Sequence, residues 1–561
     1  MTSSTSPAAA GSPEPTPAYR WFVAGDWNAF FALLLDNVVN MVVLASLLTG
    51  AFGFPSEIIY RRMLPGTALG VLAGDLVYTW LAIRLARRSG RGDVTAMPLG
   101  LDTPSTIGMA LAVLGPAFLA HNAALAAQGV AAGEAVERAA MAAWGVGMAV
   151  MLLIGAVKVG FSFAGDWVRR NVPTAGLLGS IGGIGLALLS FLPLVDIFRA
   201  PIVGMVALGL VLYALVARIE LPGSLPGAAV AVAVGTLLYY VLGPQGWLGD
   251  TPFRTPELAV RFAFPVPTWL GVQALGEALP YLPIAVPFGL LTIVGGINVS
   301  ESARAAGDDF GTRDILLTEA VATLVAGLCG GVAQSTPYIG HPAYKAMGAR
   351  AGYTFATGLA VGLGGMLGWI SFIADALPLA AVVPLLLFVG LEITTQAFHA
   401  SPERHAPAVA FAFLPIVACL LLIRQDALLG SLAGAINGAG AELGATGVAA
   451  VNRIVAQVTE STHAGTVAGL GHGFILTAML WGSFFALIID RQLWRAALFI
   501  AIAGAMTLFG IIHSARPDGG LYWPWASPSA MSLQWALGYF ALAAVIAGLG
   551  PLRGRAAPAT R

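Results

Sequence analysis

Two segments of this chain place a titratable side chain among prolines and glycines in the same order. The first is AMPLGLDTPST, residues 96–106, which contains Asp102, and the second is QSTPYIGHPAY, residues 334–344, which contains His341. A carboxyl group and an imidazole can each take up and release a proton, and an imidazole does so near pH 6.5. Both side chains are therefore candidates for proton coupling or for polar recognition of a ligand.

Each candidate in these segments also has a structural interpretation. Asp102 either carries a proton or binds a cation, or it caps a helix by accepting backbone N–H groups. His341 is either the titrating group or a neutral imidazole that is hydrogen-bonded to the backbone. The hydroxyls of Thr103 and Ser105 serve either a ligand or the helix cap. Tyr338 either stacks on a planar ring or fills a helix junction.

A second set of polar side chains lies inside apolar stretches elsewhere in the chain. Asn37 is followed three residues later by another asparagine, so both share one helix face and could line a cavity. Asp36, Asp75 and Lys158 form either a structural network, with Asp36 paired to Lys158, or part of the coupling machinery. Ionisable groups at membrane depth are a functional hypothesis by default.

The composition is that of a membrane protein. Only 10% of the 561 residues are charged and 58% are apolar, and the mean hydropathy is +0.82. Soluble domains carry about 25% charged residues. The formal net charge of zero gives no basic excess to recruit nucleic acid. The two cysteines lie in apolar runs, which excludes a disulfide framework and a cysteine metal site.

Apolar runs long enough to cross a hydrocarbon core of roughly 30 Å recur along the chain. We predict sixteen spans, near residues 27–50, 64–84, 102–119, 140–163, 174–194, 201–217, 226–243, 279–300, 314–332, 339–349, 352–374, 378–397, 406–423, 467–490, 494–513 and 532–550. Arginines and lysines cluster after even-numbered spans, and positive loops stay in the cytoplasm. We therefore expect a multi-pass protein of the cell (inner) membrane with both termini cytoplasmic.

The segments around Asp102 and His341 open the third and tenth spans. A proline just inside a helix start is favourable because its missing N–H has no intrahelical partner there. Non-helical backbone at membrane depth is tolerated only where it is buried or lines a cavity, and a matching pair of such breaks marks a transporter's binding site. An offset of seven spans is odd, so the second repeat is inverted relative to the first.

These motifs resemble the nucleobase–cation symporter-2 (xanthine/uracil permease) family, closest to its bacterial adenine/guanine/hypoxanthine branch. GLDTPS at 100–105 corresponds to the branch's Gly-Leu-Asn-Ala-Tyr-Phe, and PYIGHPA at 337–343 to its Thr-Tyr-Ile-Glu-Ser-Ala-Ala. Residues 168–185 and 293–307 are similar to its linker into span 5 and to its span 8. The resemblance covers residues 26–423 and resumes in 467–490.

The resemblance implies an all-α transporter of fourteen spans in two inverted repeats of seven, which moves substrate by an elevator-like displacement of a core domain against a gate domain. Two extra C-terminal spans would follow. The chain then divides into a disordered cytoplasmic tail (1–25), core halves (26–170 and 276–375), gate halves (171–275 and 376–490, with an insertion at 424–465) and a C-terminal part (491–561). The insertion is either a surface helix or a re-entrant segment. The family often forms dimers, so a homodimer is one expected arrangement.

The same resemblance adds three site candidates, Gly340, Asn298 and Glu301. It also disagrees with this sequence at the two positions where the family has acidic residues. The family's acidic residue in span 8 aligns with Val294, and its glutamate in span 10 aligns with Gly340. Asn298 lies one turn after Val294 and could face the same cavity. Glu301 is either a relocated acid or the partner of Arg304 in an i,i+3 pair. Since both family carboxylates are missing, the substrate does not carry over.

We therefore expect a secondary active transporter, coupled to H⁺ or Na⁺, for a nucleobase or similar planar metabolite. The alternative is an inorganic or carboxylate anion transporter of the same fold, favoured by the lost acids and by the positive ends of the half-helices. A second alternative is a sensor or accessory protein that does not transport. The sequence contains no Walker A motif and no metal-hydrolase signature, so we expect neither an enzyme nor a bound cofactor. Its expected partners are a small-molecule substrate and the lipid bilayer, without nucleic acid.

Overall fold

The computed structural model describes residues 19–552, except 164–169, 218, 220, 223–226, 257–258, 339, 439, 517–518 and 528. The described chain is mostly helical, with one two-stranded sheet. Ten helices are long and apolar enough to cross a membrane, and two bent helix pairs raise that number to twelve. Most of the expected tail (1–25) falls in residues 1–18, outside the described part.

The helices of the first half are α1 (Gly25–Phe52), α2 (Ser56–Ser89), α3 (Thr103–Ala127), α4 (Ala132–Ser162), α5 (Thr174–Arg199), α6 (Pro201–Val216) and α7 (Gly227–Leu242). The second half contains α8 (Leu282–Ala305), α9 (Thr312–Leu328), α10 (His341–Ala346), α11 (Gly352–Leu367), α12 (Trp369–Ala376), α13 (Leu379–His399) and α14 (Leu414–Gly438). The chain continues through α15 (Gly440–Ser461), α16 (Ala464–Gly471), α17 (Phe474–Ile489), α18 (Leu493–Leu508) and α19 (Ala530–Leu552). The strands are β1 (Leu99–Leu101) and β2 (Ser335–Pro337).

The sixteen predicted runs correspond to helices of unequal length. The bent pairs are α11 with α12, at 81°, and α16 with α17, at 77°. Four predicted runs are shorter than full spans, namely α6, α9, α10 and α18. The sequence predicts sixteen candidate spans, the one at 339–349 as a short half-helix, and ten to twelve of the described helices are long and apolar enough to cross a membrane. Hydropathy also counts the shorter apolar runs, whether or not they stay helical across the whole bilayer.

Helix packing in the described chain brings the first four helices against α8–α11. α2 packs along α11, and α9 packs along both α2 and α4. Small residues permit the close approach: a Cβ on Gly66 would lie within 3 Å of the backbone at Gly331, and one on Gly70 would lie 2.7 Å from the Cβ of Ala326. Such contacts are the usual basis of helix association in membranes.

The other helices form a second set of contacts. α5 packs along α13 and α17, and α6 packs along α7. α18 and α19 pack on each other, and α18 also packs on α17. This pattern is compatible with the predicted core and gate domains, whose boundaries stay a prediction. In the insertion at 424–465, α15 leaves Ile454 and Val458 more than half exposed.

Several loops that we expect on one side of the membrane do meet in the structure. Arg350, after α10, donates its backbone N–H to Asp26 at the start of α1, and Arg91, after α2, lies 3.3 Å from Asp308, after α8. Arg495, after α17, donates to the carbonyl of Asn171, after α4. These contacts join loops that the arginine pattern places on one side, and the orientation of the termini stays a prediction.

Candidate functional site

The two broken segments meet in a short antiparallel ladder. Gly100 lies opposite Thr336, and Leu101 lies opposite Ser335. Two further backbone bonds lengthen the ladder, because Asp102 N–H donates to the Gln334 carbonyl (3.0 Å) and Tyr338 N–H donates to the Pro98 carbonyl (2.8 Å). The antiparallel direction places the start of α3 and the start of α10 at opposite ends of the ladder. We call this paired region, residues 98–102 and 334–338, the crossing.

Asp102 caps α3 from the crossing. Its backbone is extended, at φ −73° and ψ 106°, and its Oδ2 accepts the Ser105 N–H at 2.9 Å. The Gln334 amide lies 3.5 Å from the same oxygen. Ser105 itself is fully buried and Thr103 nearly so, whereas Asp102 stays partly exposed. Asp102 is therefore a helix cap whose carboxyl group is also open to a ligand.

Asp36 brings a second, buried carboxyl group to the crossing, beside Gly100. It lies on α1, and its Oδ2 is 3.1 Å from the position a Cβ on Gly100 would occupy. Among the described residues, this oxygen has no hydrogen-bond partner. The charges of Asp36 and Asp102 repel each other. Carboxylates that repel each other in a buried site favour a shared proton or a bound cation.

Asn37 binds the backbone of β1 from helix α1. The side chain is fully buried, and its Oδ1 accepts the Leu101 N–H at 3.1 Å while its Nδ2 donates to the Leu33 carbonyl at 2.9 Å. Every polar atom of this amide that bonds does so to the backbone, so the structure gives Asn37 a positioning role. Asp75 lies on α2, fully buried, facing the backbone of Leu99.

Lys158 and Glu319 form a buried ion pair behind the crossing. Both side chains are fully buried, and Nζ lies 2.8 Å from Oε1. The expected network of Asp36, Asp75 and Lys158 is therefore corrected: Lys158 on α4 pairs with Glu319 on α9, while Asp36 lies beside Gly100 of β1. A charge cannot stay alone in this interior, and the nearest carboxylate in the fold decides its partner.

His341 contacts loop residues outside the crossing. Its fully buried ring places Nε2 3.2 Å from the Thr95 carbonyl and 3.4 Å from Asp308 Oδ2. Lys345 Nζ lies 2.6 Å from Asp308 Oδ1, and Arg91 Nη1 lies 3.3 Å from it. These groups tie the loop before β1 and the loop after α8 to α10.

Asp308 is the centre of this ion network. Burial raises the pKa of its carboxyl group, but hydrogen bonds from His341, Lys345 and the Thr95 N–H outweigh that effect, so its pKa lies below the ordinary value. The network therefore contains an ionised aspartate that neutralises several donors at once.

The remaining candidates lie around the start of α10. Tyr338 is 39% exposed, and a Cβ on Gly340 would lie 3.0 Å from its ring. The side chains of Asn298 and Glu301 lie outside the described part of the structure. Arg304, the partner considered for Glu301, binds Asp309 instead, at 2.7 Å.

Glu319 and Asp308 are the residues that sequence reasoning missed. Glu319 is the only charged residue between Ile315 and Leu328, and that isolation was a usable signal. Asp308 gave no signal, because an aspartate in a polar loop is ordinary and its burial depends on how α10 packs. In the described ranges, no group of three histidine, cysteine or acidic residues could hold a metal ion.

Comparison with known proteins identifies the fold but no family. No family model matches the chain, and no curated protein matches its sequence. Among solved structures, SLC26A9 aligns with a TM-score of 0.50 and 13% identity, over 70% of this chain and 61% of that one. The murine Slc26a9 anion transporter in its inward-facing state gives 0.47 at 13% identity, over 74% and 69%. The transmembrane domain of BicA, a cyanobacterial bicarbonate transporter, gives 0.48 at 14% identity, over 72% and 96%.

These findings confirm a multi-pass helical membrane protein with the seven-plus-seven inverted-repeat transporter fold. They also correct the family assignment: SLC26A9 shares the fold and no family model matches the chain, so the assignment to the nucleobase–cation symporter-2 family was wrong. The motifs that suggested it describe a proline- and glycine-broken helix pair, which belongs to the fold. Val294 and Gly340, where that family has its acids, already disagreed with it.

Proposed function

We propose that this chain is a secondary transporter of a small inorganic or carboxylate anion, coupled to protons or another cation. The fold supports transport, and SLC26A9, with which the chain shares that fold, is described as an anion transporter. We place the protein in the cell (inner) membrane with cytoplasmic termini, on the arginine pattern, and we expect a homodimer. The substrate site would lie at the crossing.

One observation carries the proposal: the partly exposed Asp102 and the carboxyl group of Asp36 both lie at the crossing, next to the start of α3. The first turn of a helix presents N–H groups and partial positive charge, which attract an anion. Here the Asp102 carboxylate already accepts the Ser105 N–H. An anion and the ionised carboxylate therefore compete for the same donor.

This competition gives a route to coupling. When a proton binds Asp102, its carboxyl group becomes a weaker acceptor and loses the charge that repels an anion. The Ser105 N–H then becomes available to the anion. Asp36 adds a second negative charge beside the site, so a bound anion requires neutralisation of at least one of the two carboxylates. Proton and anion would bind together, which is symport.

Uptake by proteoliposomes tests this function. Sulfate, bicarbonate, a dicarboxylate such as succinate, and uracil would be offered as labelled substrates, with the interior alkaline, neutral or acidic relative to the outside. We expect accumulation of at least one anion that increases with an inward proton gradient. Uptake of the uncharged nucleobase alone would contradict the proposal, and absence of any uptake or counterflow would favour the sensor or accessory function.

A further inference from the structure

Lys158 is bound directly behind the strand that carries half of the crossing. Its three N–H donors have three partners: Glu319 Oε1 at 2.8 Å, Thr323 Oγ1 at 3.1 Å and the Ser335 carbonyl at 3.0 Å. Ser335 belongs to β2. The ammonium group is therefore fixed in place beside β2 at the crossing, where its charge also acts on Asp102.

The surroundings of the ion pair are poor in other charges. Glu319 faces the hydroxyl of Thr292 on α8, and its Oε2 is 3.1 Å from the position of a Cβ on Gly296. The other titratable groups that act on the pair, within the described ranges, are Asp102 at the crossing and Tyr78 on α2, with Asp75 behind it. Tyr78 donates its hydroxyl to the Ile315 carbonyl, at 3.1 Å.

We propose that Lys158 is a specificity-determining residue, whose fixed positive charge behind β2 attracts the transported anion, and that Glu319 sets how much of that charge the anion experiences. The inference rests on the proposed function. Lys158 does not touch the anion and acts as a positioning residue through its field. Its pairing explains why one lysine is retained at full burial, since without Glu319 it would be an uncompensated charge.

The size of the effect depends on the charge of the anion. We take the ammonium group and the anion to be about 10 Å apart, with one strand between them and an effective dielectric constant of about 20. One unit charge then changes the affinity of a monovalent anion roughly tenfold. The same arithmetic gives roughly a hundredfold for a divalent anion. A structural role predicts no such dependence, because a misfolded or loosened site loses both anions alike.

The test measures KM and kcat for a monovalent and a divalent anion in proteoliposomes, using four proteins. Lys158→Gln leaves a net negative charge and should raise KM by these factors, whereas Glu319→Gln leaves a net positive charge and should lower it. The double variant Lys158→Gln/Glu319→Gln is neutral, like the wild-type pair, and should return KM to within about threefold of wild type. Thr323→Val, which removes an uncharged partner of the same ammonium group, is the matched control and should leave the ratio of the two KM values unchanged.

Lone buried charges could prevent either single variant from folding, so a reversed pair provides an independent test. Lys158→Glu/Glu319→Lys contains no lone charge but puts a carboxylate behind Ser335, and KM should rise more for the divalent anion. Equal KM changes for both anions, or an unchanged KM in the folded variants, would overturn the inference while the wild type still transports anions. If the wild type transports no anion, the proposed function fails instead.

Discussion

The segments around Asp102 and around His341 have similar sequences but different chemistry. Both contain a titratable residue directly before or at a helix start that is marked by proline, and their strands pair in one ladder. Asp102 is partly exposed and caps α3, whereas His341 is fully buried and faces Asp308. The inverted repeat therefore reproduces the backbone of the binding region without reproducing its proton chemistry.

The lengths of the two half-helices explain the difference. α3 runs from Thr103 to Ala127, long enough to cross much of the bilayer, and Asp102 caps its start. α10 has six residues and ends near the loops that contain Arg91 and Asp308. The ionisable group at its start, His341, contacts polar loop partners, whereas the carboxyl groups at the crossing come from α1 and from the residue before α3.

The strongest test of this asymmetry compares Asp102→Asn with His341→Asn. Asp102→Asn keeps an acceptor for the Ser105 N–H but carries no proton, so proton-driven accumulation should fall by about a hundredfold, near the upper end of coupling between two ligand sites. Counterflow without a proton gradient should persist. His341→Asn should leave the pH dependence of uptake unchanged. The measurement is uptake against internal pH, and loss of pH dependence in the histidine variant alone would reverse the assignment.

The ion network provides the next largest effect, which is on stability. Asp308→Ala removes the one carboxylate shared by Arg91, His341 and Lys345, and breaking a buried ion pair costs about 3 kcal/mol. The midpoint of thermal unfolding of the purified protein should fall accordingly. Asp309→Ala is the matched control, because Asp309 is exposed and binds Arg304 at the surface, where a pair contributes at most about 1 kcal/mol. Equal changes in the two variants would show that the network does not fix α10.

Acid should weaken the same network. Asp308 has a pKa below its ordinary value in the folded protein, so its contribution is present above the ordinary aspartate pKa of about 3.9 and is lost as pH falls toward the lowered folded value. Unfolding midpoints between pH 3 and 6 should therefore fall more steeply for the wild type than for Asp308→Asn. In a separate cluster, hydrogen bonds from Arg404 and His405 outweigh burial and lower the pKa of Asp490, and Asp490→Asn measures that separate contribution.

Much of the architecture was predictable from the sequence because hydropathy and proline placement are local signals. The broken spans and the capping alternative for Asp102 follow from residues within a few positions of each other, whereas the ladder joins segments more than 230 positions apart. The partner of Lys158 was not predictable, because Glu319 lies 161 positions away and only the packing of α4 on α9 brings them together. For the same reason the sequence suggested coupling at His341, whose environment is set by Asp308 and Lys345 in the folded chain.

The smallest expected effect is on the pH midpoint and the anion KM of uptake. It comes from alanine substitutions at the two glycines that precede Asp102 and His341. Gly100→Ala would place a Cβ 3.1 Å from Asp36 Oδ2, and Gly340→Ala would place one 3.0 Å from the ring of Tyr338. The Tyr338 ring is 39% exposed and can move aside, whereas Asp36 is held between α1 and β1. Gly100→Ala should therefore shift the pH midpoint of uptake and raise the anion KM by about threefold, comparable to a loss of less than 1 kcal/mol. Gly340→Ala should change neither, and a larger effect at Gly340 would place the transported anion on the His341 side of the crossing.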